Sequence, residues 1–220
     1  MMRLTTLIAA MAATALGAMP AVAQPWSPAN GDKLEFDVLR DGGEFGTHVV
    51  KFTREGDSLT VKTDVVLKVA LGPITFFDYA HDVTERYSSD KLVWVGSRTK
   101  KDGKWQTLAV QPTETGLSVK GSKFKGVLAG IVIPSTHWNR DEMKQPTMFS
   151  TETGEMLPMK VKDRGMESVK VGTRTIQAQR FDVDSEIDAS FWYDSEGRWV
   201  KTYFETQGSK IEYRLRALPA

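Results

Sequence analysis

Apolar and polar residues alternate along most of this chain, most sharply from Leu59 to Leu71. Leu59, Val61, Thr63, Val65, Leu67 and Val69 share one parity, while Thr60, Lys62, Asp64 and Lys68 share the other. A strand turns successive side chains to opposite faces, so this spacing predicts one face in a core and one in water. Its length favours a curved, twisted sheet over a flat one. Leu34, Phe36 and Val38 repeat the pattern, as do His48, Val50 and Phe52, then Phe77, Tyr79, His81 and Val83. The tail from Ser190 to Leu215 predicts three short strands joined at Asp194-Ser195-Glu196-Gly197 and Thr206-Gln207-Gly208-Ser209. Aromatic and β-branched residues fill these strands, and Gly stands where a tight turn needs positive φ.

Turn signals recur about every eight to twelve residues, the spacing of an antiparallel sandwich or barrel. Asp41-Gly42-Gly43, Arg54 to Asp57, Gly72-Pro73 and the Asp102-Gly103 pair mark them in the first half. The rhythm fails once. Val127 to Pro134 is apolar without alternation, and Ser135 to Pro146 follows it. Asn139 with Glu142 three positions later has the form of a capping box, and Pro146 ends whatever helix follows. The expected fold is all-β: an antiparallel curved sheet forming a barrel or half-barrel, with one short helix near residues 139–145 over one end.

The first residues stand outside this plan. Arg3 precedes an apolar stretch from Leu4 to Gly17, and Ala21-Val22-Ala23 has the small-x-small form that signal peptidase cuts. The expected organisation is a cleaved signal over residues 1–23 and a single β domain over 24–220, soluble in the periplasm or secreted. Removing the signal takes one Arg and no acid, leaving 28 Lys and Arg against 28 Asp and Glu. That balance argues against nucleic acid as the main partner. Cysteine is absent, which excludes a disulfide framework and a lipid-modified cysteine.

The candidate chemistry is sparse. The chain has three histidines, His48, His81 and His137. Asp78, His81, Asp82 and Glu85 would converge on a helix, but on a strand His81 faces away from both aspartates, and the flanking Phe76-Phe77 and Val83-Thr84 favour the strand. No metal site and no cofactor are expected. Asp182, Asp184, Glu186 and Asp188 recur at period two, and so do Lys160, Lys162 and Arg164, so paired charges on a solvated face account for both runs. Arg98, Lys100, Lys101 and Lys104 crowd a hairpin tip, read as a solvated turn with anionic headgroup contact as the lesser reading. G-x-S-x-G, G-x-G-x-x-G, phosphate-loop and H-E-x-x-H patterns are all absent, and no catalytic residue is assigned. Ser135 to Asn139 carries two readings: a latch over a pocket, or a Trp138 plug with Asn139 capping a helix.

The tail W-Y-D-x-x-G-x-x-V-K followed by I-E-Y-R-L, the opening L-E-F-D-V-L-R-D-G-G-E-F-G-T-H and the central S-T-H-W-N resemble an exported bacterial β-rich family of domains of unknown function. The resemblance covers essentially all of the chain after the signal. It implies a periplasmic antiparallel β-protein, distantly similar to the half-barrels that carry lipoproteins or bind lipid across the envelope, and it transfers no catalytic residue. The preferred expectation is a non-enzymatic carrier of an apolar or amphipathic ligand, held by His48, Tyr79, His81, His137, Trp138 and Asn139. The alternatives are an envelope assembly partner using a sheet edge or exposed tail aromatics, and a hydrolase with dispersed carboxylates.

Overall fold

The computed structural model describes residues 26–71, 74–101 and 103–219. The expected export signal lies outside them, as do the Gly72-Pro73 break and Asp102. Fifteen strands are described. The first eight are β1 (Lys33–Arg40), β2 (Gly43–Glu55), β3 (Ser58–Leu71), β4 (Ile74–Ser88), β5 (Lys91–Lys101), β6 (Lys104–Thr113), β7 (Gly116–Lys120) and β8 (Lys125–Leu128). After a single 3-10 turn at Arg140–Lys144 come β9 (Thr147–Phe149), β10 (Met156–Pro158), β11 (Lys160–Val171), β12 (Arg174–Asp184), β13 (Ala189–Asp194), β14 (Trp199–Thr206) and β15 (Ser209–Leu215).

Thirteen of these strands form one antiparallel sheet in the order β11-β12-β13-β14-β15-β1-β2-β3-β4-β5-β6-β7-β8. Two meanders are thus spliced where β1 pairs with β15, Phe36 opposite Leu215 and Val38 opposite Tyr213. The sheet curls on itself: Val169 and Val171 of β11 share a core with Leu34, Phe36 and Phe52 of β1 and β2. The edge strands β8 and β11 stay unpaired with each other. The result is a half-barrel.

The predicted parities hold. Leu34, Phe36, Val38, His48, Val50, Phe52, Leu59, Val61, Val65 and Leu67 are all buried. Because register passes straight across the ladders, inner residues form rows: Phe52, Val61, Glu85, Val95, Val110 and Val119 stand opposite one another from β2 to β7. Pairing is tight enough at Gly46 that a Cβ there would lie 1.9 Å from the Val66 carbonyl oxygen. Residues 156–171 hold the short β10 and one long β11, whose bulge falls at Asp163–Gly165.

The segment 129–159, here termed the strap, joins the two meanders and packs inside the half-barrel. Its sequence does not alternate, yet its burial does: Val132, Pro134, Thr136 and Trp138 are buried, while Ile131 is 74% exposed. The expected helix is one 3-10 turn, and its cap differs from a capping box. The Asn139 side chain accepts from the Asp141 N–H at 3.0 Å, but Glu142 turns inward instead of returning to Asn139.

Candidate functional site

β4 supplies the polar side chains of the inner wall. Its odd positions Tyr79, His81, Glu85 and Tyr87 face the strap, and its even positions Asp78 and Asp82 face outward, so these carboxylates and His81 do not converge. Glu85 is fully buried within an otherwise apolar row. Its carboxylate accepts from Thr136 Oγ1 at 2.6 Å and from Trp138 Nε1 at 3.3 Å, both on the strap, and from the Tyr87 hydroxyl. Burial pushes the Glu85 pKa up to about 7, and the Glu142 carboxylate adds to the rise, whereas the three donated bonds favour the ionised form.

A second cluster fastens the far end of the strap. His81 Nδ1 lies 2.8 Å from Thr99 Oγ1 and its Nε2 lies 3.0 Å from Thr151 Oγ1. Burial brings this ring down to about 4, so it stands neutral, one nitrogen donating and the other accepting. Ser97 Oγ donates to the Thr151 carbonyl at 2.5 Å, and the Tyr79 hydroxyl donates to Glu152. A Cβ on Gly121 would sit 2.2 Å from the Thr153 carbonyl oxygen, so glycine there allows the strap to seat against the β7–β8 loop.

His137 belongs to the strap, with φ at +62°, a left-handed conformation unusual for a side-chain-bearing residue. Its Nδ1 lies 3.0 Å from Glu142 Oε2, and the Tyr193 hydroxyl donates to its carbonyl at 2.9 Å. His48 lies on the wall, its ring centroid 5.0 Å from that of Trp199, against which His137 also packs at 5.6 Å. Burial drives the His48 pKa well below the usual imidazole value, with His137 and His81 adding to the fall. Four buried polar atoms, His48 Nε2 and Thr63 Oγ1 on the wall and Arg140 Nη1 and Glu142 Oε1 on the strap, have no hydrogen-bond partner among the described residues.

The six sequence-predicted residues therefore divide. His48, Tyr79 and His81 line the wall, His137 and Trp138 lie on the strap against it, and Asn139 serves as a helix cap. Trp138 is 5% exposed and packs edge-on against Phe52 and Tyr87, so it plugs the half-barrel. Pattern reading missed Glu85, Glu142 and Thr151. Glu85 carried a signal, since it shares parity with His81 and Val83, whereas Glu142 lies where the alternation fails. Of the tail aromatics, Phe191, Trp192, Tyr193 and Trp199 are buried, while Tyr203, Phe204 and Tyr213 are half-buried. On the outer face, β12 ends at Asp184, so Glu186 and Asp188 leave the carboxylate row. Asp182 instead receives Arg164 at 2.6 Å, and Lys160 stands opposite Asp184. Among the described residues no helix is long and apolar enough to cross a membrane.

The family model for the domain of unknown function DUF6134 matches residues 36–216. No curated protein matches the chain. Among solved structures, a beta-barrel-like protein of the domain of unknown function DUF1849 from Brucella abortus is similar over 86% of this chain and 97% of its own, at 13% identity and a TM-score of 0.60. At that identity the likeness is one of fold.

Proposed function

Since the chain belongs to the DUF6134 family, a domain of unknown function, its own geometry carries the functional reading, and we propose that it is an exported, non-enzymatic binding protein whose inner wall takes an amphipathic ligand beneath the strap. One observation carries the reading: His48 Nε2, Thr63 Oγ1 and Glu142 Oε1 are buried with hydrogen-bonding capacity unused. Each such group costs about 1–3 kcal/mol if left unmet. With His48 and Thr63 on an apolar wall and Glu142 on the strap, they suit the polar end of a guest whose tail would lie against Val65 and Leu67 once the strap lifts. The strap is the cover. It is held by side-chain bonds to Glu85, His81, Ser97 and Tyr193 and by the packing of Val132, Trp138, Met143 and Phe149, with no strand ladder among the described residues tying it to the wall.

The polar groups do not compose a catalytic set. Glu85 already takes three donors, His81 is held between two threonines, and Ser135 lies against Thr151 rather than beside a base. The test is native mass spectrometry of the protein purified from its producing cell, with organic extraction of anything retained. An extractable amphipathic molecule, lost on His48→Leu, is the expected result. A clean apo mass that persists after incubation with total envelope lipid would overturn the reading.

A further inference from the structure

The outer face offers a different surface. A cleft of about 800 Å³ opens at the β6–β8 end of the sheet, lined in part by Trp105, Thr107, Ser118, Lys120, Lys125 and Val127. Trp105 is 53% exposed and Val127 52% exposed, two large apolar side chains turned to water in one depression. The Arg98 guanidinium lies over the Trp105 ring at 4.7 Å. Among the described residues Arg98, Lys120 and Lys125 form no ion pair, although Lys100 is matched by Asp78 and Lys123 by Glu155 at 3.3 Å.

Charge is distributed unevenly in the same direction. Residues 91–128, which contain β5 to β8, hold eight Lys and Arg against Asp102 and Glu114, a net of +6 in a chain whose total is +1. The remaining residues therefore carry −5. A cationic wing bearing a half-exposed indole has the two properties that hold a protein at a lipid headgroup layer: attraction to anionic lipid and a ring suited to the interface.

We propose that the β5–β8 wing docks on an anionic lipid surface, with Trp105 and Val127 entering the headgroup layer and Arg98, Lys120 and Lys125 meeting the phosphates. The exposed indole favours this partner over a soluble anion, which would use the cations and leave Trp105 wet. The contact is reversible, because nothing on this wing reaches the hydrocarbon depth of a spanning element.

Flotation with vesicles tests it. Wild-type protein is expected to float with vesicles of mixed phosphatidylcholine and phosphatidylglycerol, not with phosphatidylcholine alone, and to be released by high salt. Each lost cation weakens partition about fivefold, so Lys120→Glu with Lys125→Glu abolishes flotation. Trp105→Ala weakens it while leaving the salt dependence in place. These side chains are exposed, so the variants keep the wild-type circular dichroism. Equal flotation with neutral vesicles, flotation unchanged in the double variant, or binding to soluble acidic polysaccharide in place of vesicles would each overturn the proposal. A ligand retained in the interior does not depend on these substitutions, so the two readings fail separately.

Discussion

Glu85 and His81 sit four residues apart on one face of β4, and burial moves their titrations in opposite directions, past each other. Burial raises Glu85 from 4.5 to about 7, so its stabilising contribution is full below 4.5 and is lost as pH rises through 7. It lowers His81 from 6.5 to about 4, so that contribution is full above 6.5 and is lost as pH falls through 4. The stability advantage of wild type over Glu85→Gln is therefore expected to fall by about 3 kcal/mol between pH 4.5 and 7. Against His81→Gln the difference should rise by about 3 kcal/mol from pH 4 to 6.5. Urea titrations at a series of pH values read both, and a flat difference for either residue refutes its assignment. The same residues show what sequence can disclose. Parity alone points His81 and Glu85 inward, because a strand has two faces. It says nothing of Thr151 or Glu142, which reach β4 through a fold in space rather than a period in the chain.

The strap shows the limit at the scale of an element. Failure of the alternation marks its place, and Asn139 and Pro146 mark its short turn. Its course inside the half-barrel is set by side chains from β2, β4, β5, β13 and β14, and no local pattern encodes those partners. Trp138→Ala should destabilise the protein by about 3–5 kcal/mol, since it empties a large buried site and strips a donor from Glu85. Asn139→Ala removes only a cap and should cost about 1 kcal/mol. Gly121→Ala forces the strap away from the β7–β8 loop, and hydrogen exchange at Thr151 to Glu155 should quicken while β1 to β3 stay protected. Equal losses for Trp138→Ala and Asn139→Ala would mean that the indole is not a structural plug.

At the scale of the whole molecule, the strands and most of their register follow from parity and turns, whereas the curl of the sheet does not. Curl emerges from which apolar faces meet, as when Val169 and Val171 reach Leu34 and Phe36. The uneven charge is legible in the sequence once counted by segment. Its meaning is not, because only the fold places Lys120 and Lys125 beside Trp105 in one cleft.

The pairing of β1 with β15 also governs when this protein acquires its shape. Phe36 meets Leu215 across nearly the full length of the chain, and the pair lies in the middle of the sheet rather than at a rim. During synthesis the early meander is made long before its neighbour exists, so a growing chain carries an unpaired central edge until the last strand arrives. Contacts of such separation make folding slow, on the order of milliseconds to seconds. A chain stopped after Gln207 is expected to remain protease-sensitive, measured by limited digestion against the full chain. The last seven residues of the sheet, in β15, therefore set when the two meanders can join, because the central seam has no second strand until they are made.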